Sequence, residues 1–324
     1  MIGNRITALR YVLGRIAQAI LVLWAAYTLT YCILNMLPSD PVALMVKAKG
    51  TDISSLSGEE ISQLEHLYGL DKGPIHAYFA MLFKALHGDL GSSYTYGVPV
   101  TSLIIDRIAS TLVIGLLAIV LAAVLAFGLA FLAAVTRNGV VRRVLSAVPS
   151  VGMSIPSFWL GLLLMQVFCF TLGWLPARGI EGWQSAILPT ITMSVAPAAT
   201  LGRLLMNGFD EVMAEPYVHT ALAHGMERGS VIVRHVAKNA SLPSLTILGI
   251  AVGDTVTGAI VAETVFSRQG LGMLIQQAVT QQDIPVVQGV VILAAAAFVV
   301  INLIVDLIYP LLDPRIAQTW GGRS

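Results

Sequence analysis

Apolar runs of about twenty residues recur along this chain, separated by shorter polar stretches. That length marks a helix crossing hydrocarbon: a core about 30 Å thick takes roughly 20 apolar residues as a helix, because backbone groups cannot be left unpaired in lipid. The pattern predicts about six spanning helices, over residues 16–37, 109–135, 148–172, 186–206, 245–266 and 286–311. The third and fourth hold Pro149, Pro156, Pro189 and Pro197. Membrane helices tolerate such prolines as kinks where neighbours satisfy the freed carbonyls. The first run follows Arg5, Arg10 and Arg15, as a secretory leader would. A leader's apolar region is only about 7 to 15 residues, and this run continues through Leu37 without a small-residue cleavage site, so a retained anchor is expected.

Composition agrees with the pattern. The chain is 56% hydrophobic and 11% charged over 324 residues, with mean hydropathy +0.80. A soluble domain carries about 25% charged residues, so the class is an all-α integral membrane protein. A net charge of +1 without a long Lys/Arg cluster removes the electrostatic case for nucleic acid. Cys32 and Cys169 fall inside apolar runs, where a free thiol behaves as a small hydrophobe, and no structural disulfide is expected.

The basic residues set an orientation, since Lys and Arg collect in short cytoplasmic loops. Arg137, Arg142, Arg143, Arg203, Arg228, Arg234, Lys238, Arg315 and Arg323 fall on the same side as the N-terminal arginines, and the two short opposite loops hold Arg178 and Arg268. Both termini are therefore expected inside. The organisation reads as a cytoplasmic tail (1–15), the first span (16–37), an external scoop-like loop domain (38–108), a five-helix core (109–312) and a cytoplasmic tail (313–324). The external loop alternates apolar, helix-like stretches at 61–68 and 75–86 with Gly69, Gly73, Pro74, Gly88, Gly91 and Pro99. It reads as a small folded unit on which a partner docks, with a solvated cap as the alternative.

The most informative polar insert is the loop 207–243, far longer than a connection requires. Asp210, Glu211 and Glu215 read as acids favouring a helix start. A short helix is expected from Pro216 to His224, with Val218, Ala221 and Leu222 on one face and Gly225 as a left-handed cap. Arg228, Arg234, His235 and Lys238 make its second half basic. Such a helix can insert into a groove on a soluble partner or lie on lipid headgroups.

The insert resembles the EAA-type loop of ABC importer permeases, in the variant used by the dipeptide, oligopeptide and nickel family. Tyr217, Thr220, Ala221, Gly225 and Leu242-Pro243 stand at that variant's spacing. The same family is matched by LPSDP at 37–41, HGDLGSSY at 87–94, SIPSFWLG at 154–161, LGWLPARG at 172–179, AETVFSRQGLG at 262–272 and NLIVDLIYPLLDPRI at 302–316. The resemblance implies a first (B-type) permease subunit that pairs with a second homologous permease around the path. It also implies two cytosolic ABC ATPase subunits, or one fused ATPase, binding ATP and Mg. An extracytoplasmic substrate-binding protein would sit against the scoop and deliver short peptides or a related solute. The ATPase-coupling helix would comprise Glu215, Pro216, Tyr217, Val218, Thr220, Ala221, Leu222, Gly225 and Met226. The chain departs from the family in placing His219, Leu222 and His224 where basic residues are common.

Hydrolysis is not encoded in this sequence. A P-loop requires a lysine after glycine, and none of Lys47, Lys49, Lys72, Lys84 or Lys238 follows one. Neither H-E-x-x-H nor G-x-S-x-G occurs. An intramembrane hydrolase would have Ser154 or His235 but no assembled nucleophile and base. Ionisable residues within spans are functional candidates: Asp254 and Glu263 for a path or gate, and Arg203 with Asp306 for an ion pair between helices. The alternative function is an ion-coupled secondary transporter or channel, with Asp254 and Glu263 as coupling carboxylates. Gly249, Gly253 and Gly258, with Ala251 and Ala259, form a small-residue stripe for close helix approach, either within the chain or at a subunit interface.

Overall fold

The computed structural model describes residues 2–36, 46, 57–68, 73–177, 179 and 182–312. The LPSDP motif, Arg178 and the tail 313–324 lie outside the described residues. Among the described residues the chain is helical apart from one isolated bridge between Ser92 and Pro99. Four helical stretches are long and apolar enough to cross a membrane: Gly14–Leu34, Val100–Val135, Trp183–Met213 and Ile284–Ile304. The helix Leu242–Val265, 24 residues long, stands at the fifth expected span.

The expected third span, 148–172, is not one straight helix. It straddles the break between two helices, Gly139–Ser154 and Ser157–Thr171, which are bent by 98°. Proline explains the break. Pro156 has no N–H to continue the ladder, and its ring drives the preceding residue into extended backbone, where Ile155 sits at φ −85° and ψ 119°. The helix restarts with Pro156 as its N-cap and loosens into a π turn over Gln166–Thr171. Pro149 and Pro197 lie inside continuous helices.

The chain divides into two compact units. One comprises Met1–Tyr11, Ser110–Arg268 and Val300–Ser324. Its helices meet through small side chains. Ala118, Ala122, Ala126 and Ala130 are buried at four-residue spacing along Val100–Val135, and a Cβ on Gly152 would meet that of Ala199 at 3.0 Å. Gly258 faces Met193, and Ala259 is buried with Ile114, Ala118 and Met193, so this part of the small-residue stripe packs within the chain.

The other unit comprises Val12–Ala109 and Gln269–Val299. Its apolar core joins Tyr94, Val100 and Ile104 to Leu274, Val286 and Val290. At its centre lies Asp283, 1% exposed, between the helices Leu271–Thr280 and Ile284–Leu312. Its carboxylate accepts from the Ser93 hydroxyl and from the backbone N–H groups of Tyr94 and Thr95. This fixes the HGDLGSSY segment, whose turns at Gly88 and Gly91 adopt positive φ. Replacing Asp283→Ala strips all three donors of their acceptor. At ~1.5–3 kcal/mol for a hydrogen bond to a charged group, the detergent-solubilised protein should melt several degrees earlier in a thermal scan. A melting temperature equal to the parent's would show that this carboxylate is dispensable.

Candidate functional site

The polar insert folds as three linked pieces. The helix Ile187–Met213 overruns the expected end of the fourth span by several residues and carries Asp210 and Glu211 in its last turns. Those acids therefore do not start the next helix, as the sequence suggested. Asp210 instead pairs with Arg142, an exposed contact worth little in isolation. The overrun follows from packing: Phe209 is fully buried, so the helix continues until that ring is covered.

After a turn at Ala214, the helix Pro216–Ala223 begins with Glu215 as its N-cap in extended backbone. It ends in a Schellman arrangement. Met226 N–H donates to Ala221 O at 3.3 Å and Gly225 N–H to Leu222 O at 3.0 Å, with Gly225 at φ +83°. Glycine adopts that backbone without strain. One face of the helix is anchored: Val218 is fully buried, and Ala221, Leu222 and Met226 pack against the same cluster. The opposite face is open. Tyr217, His219, Thr220 and His224 are exposed, and the His224 Nδ1 and Thr220 hydroxyl bond back to the carbonyls of Thr220 and Pro216.

The return limb, residues 228–240, passes through a π turn at Ile232–Val236. It buries Val231, Ile232, Val236 and Ala240 in the cluster. Two polar ties complete the frame: Arg228 Nε donates to Ala134 O at 2.8 Å, and Asn239 Nδ2 donates to the Tyr217 hydroxyl at 3.0 Å. The cluster also contains Ala126 and Ala130 of one spanning helix and Leu201 and Leu205 of another. The helix Pro216–Ala223 therefore shares one apolar cluster with side chains of two spans.

This arrangement of a short capped helix slung between two spans coincides with a family match. The sequence profile described as "Binding-protein-dependent transport system inner membrane component" matches residues 126–318. The chain belongs to this family. It is 34% identical over 308 residues to the glutathione transport system permease protein GsiC of Escherichia coli (strain K12), covering 95% of this chain and 99% of the relative. The GsiC protein of Salmonella choleraesuis (strain SC-B67) is 35% identical over 309 residues, with the same shares covered. Among solved structures, the MetNI methionine ABC transporter in an inward-facing conformation is similar in fold. The TM-score is 0.56 at 18% identity, over 65% of this chain and 96% of that one. The protein is a multi-pass inner-membrane permease subunit of an ABC importer, and its relatives are transport permeases.

The other candidate residues are placed unequally. The side chains of Asp254 and Asp306 lie outside the described residues, and with them the expected pairing of Arg203 and Asp306; Arg203 itself is exposed. Glu263 is fully buried and accepts from the Thr111 hydroxyl. Beside it Arg268 is 6% exposed and donates through Nη1 to the Ser185 hydroxyl at 3.1 Å. Burial pushes the Arg268 guanidinium below its ordinary range, and the nearby Glu263 carboxylate partly restores it. Sequence reasoning treated Arg268 as an ordinary loop cation. Its place inside AETVFSRQGLG was the available signal. Among the described residues no group of three or more His, Cys, Asp or Glu side chains is placed to hold a metal.

Gly208 was also missed. A Cβ there would meet Ala240 O at 3.0 Å, which is how closely the two limbs of the insert approach. Gly208→Leu should separate them at a cost of ~1–3 kcal/mol of overpacking, read as faster limited proteolysis between residues 214 and 228. Gly208→Ala requires only a small shift and should be proteolysed at nearly the parent rate. Equal rates for both variants and the parent would mean that the limbs are not held by this contact.

Proposed function

We infer that this permease carries short peptides, and that Pro216–Ala223 is the helix through which ATP hydrolysis in partner subunits drives the transport step. One observation carries the reading: an open polar face backed by a buried apolar face that shares one cluster with two spans. A contact at the open face can be transmitted as rigid displacement, because close-packed interiors shift as units. The partners are a second homologous permease, two cytosolic ABC ATPases or one fused ATPase holding ATP and Mg, and an extracytoplasmic binding protein. Both termini are then cytoplasmic, as the arginine distribution favours.

The relatives support this substrate class. Glutathione is a tripeptide, and permeases named for its transport are similar over nearly the whole chain. A di- or tripeptide delivered by the binding protein is the cargo that fits. Coupling in such a system is a difference in affinity of each partner for two arrangements of the spans.

Gly225 gives the sharpest test. A Cβ there meets nothing within 4 Å, so a substitution acts through the positive φ and not through crowding. Gly225→Val should lower ATP-driven uptake of a labelled tripeptide in proteoliposomes by about tenfold, within the usual range of coupling energies. The ATPase should still co-purify. Gly225→Asn, which tolerates left-handed backbone, should retain most of the uptake. Normal uptake by the valine variant refutes the coupling assignment, and failure of the parent importer to take up any di- or tripeptide refutes the cargo. Uptake that persists without ATP under an ion gradient would instead support an ion-coupled transporter.

A further inference from the structure

We propose that the helix Pro74–Leu86 is inserted in the bilayer leaflet at the C-terminal end of the first span, with Ile75, Phe79, Phe83 and Leu86 in contact with lipid chains. The stripe they form follows helical spacing and is 75%, 62%, 65% and 76% exposed. Four large apolar side chains on one face of a 13-residue helix do not suit an element standing in water.

The depth of the helix follows from what its other face touches. The Tyr78 hydroxyl lies 2.6 Å from the Thr28 hydroxyl, and its ring packs on those of Tyr27 and Tyr31 at centroid distances of 5.6 and 5.3 Å. Thr28 stands six residues inside the Leu34 end of the crossing stretch Gly14–Leu34. That is about 9 Å below its end at about 1.5 Å per residue, well inside a leaflet. A second span gives the same depth. Ala77 and Met81 line a cavity of about 480 Å³ together with Gln288 and Ile292, which lie inside the crossing stretch Ile284–Ile304.

The chemistry of the helix end suits that position. Lipid leaves a helix's last carbonyls without partners unless the protein supplies them. Here His87 Nδ1 donates to Phe83 O at 2.8 Å. The His87 and Asp89 N–H groups donate to Lys84 O at 2.9 and 3.0 Å, and Gly88 N–H to Ala85 O at 3.0 Å. Lys84 lines the cavity with Asp89 and is not part of the apolar stripe. The Tyr27 hydroxyl and the Gln288 amide are buried in the same cavity wall. The first span itself exposes large apolar side chains, among them Ile20, Trp24, Leu29 and Ile33.

A second permease or a binding protein would cover the stripe differently, and accessibility to two relaxing agents separates the cases. Single nitroxides at Phe79→Cys and Phe83→Cys, in a Cys32→Ala/Cys169→Ala background, are placed in the whole importer in lipid nanodiscs. Ile20→Cys serves as the span reference. Dissolved oxygen should reach both labels about tenfold more effectively than a polar nickel chelate, which hydrocarbon excludes. Low access to both agents means a protein chain covers the stripe, and high access to nickel means water does; either overturns the proposal. Should the labels disturb folding, Phe83→Trp retains an apolar ring. Its added fluorescence should be quenched by lipids brominated on the acyl chain, and an unquenched signal overturns the proposal as well.

Discussion

Hydrocarbon offers the backbone no hydrogen-bonding partner, and most features of this permease answer that constraint. It explains why the described residues are helical and why Pro156 breaks a span where its neighbours can take up the bend. It also explains how the helices associate. Lipid removes the usual hydrophobic drive between them, so they meet where alanine and glycine allow close contact, as Gly152 does with Ala199. Polar groups sent into such an interior are costly unless they find partners. Glu263 finds Thr111, Arg268 Nη1 finds Ser185, and Asp283 finds Ser93.

The polar insert depends on the same economy of backbone satisfaction but serves another end. Its central helix has only eight residues, too short to be stable alone. It persists because Val218 is buried, because Gly225 closes the last carbonyls, and because the flanking limbs approach at Gly208 and Ala240. A segment held by one buried face and one cap can present its other face without deforming. The same contacts hold the exposed face of the short helix in one place relative to the two spans.

Much of this was legible in the sequence, for identifiable reasons. The period of the apolar runs located the spanning helices, because length in hydrocarbon is strictly constrained. Pro216 and Gly225 marked the ends of the short helix, because each has few alternative roles. What stayed hidden depends on contacts across the chain. Nothing local distinguishes Asp283 from an exposed loop acid, and its role exists only because Ser93, Tyr94 and Thr95 come to it from nearly two hundred residues away. Asp210 and Glu211 were misread because first-turn and last-turn acids look alike until the burial of Phe209 decides where the preceding helix ends. The break at Pro156 was visible as a proline, but four prolines in two spans were equal candidates, and only the packing of their surroundings selects one.

Buried acids in a transporter are readily taken as coupling sites, and Glu263 shows why location alone is insufficient. An acid that gates or carries protons must exchange with water in at least one state. Glu263 is fully buried, accepts from the Thr111 hydroxyl and lies beside Arg268, which is itself 6% exposed. That hydrogen bond joins the helix Val100–Val135 to the helix Leu242–Val265.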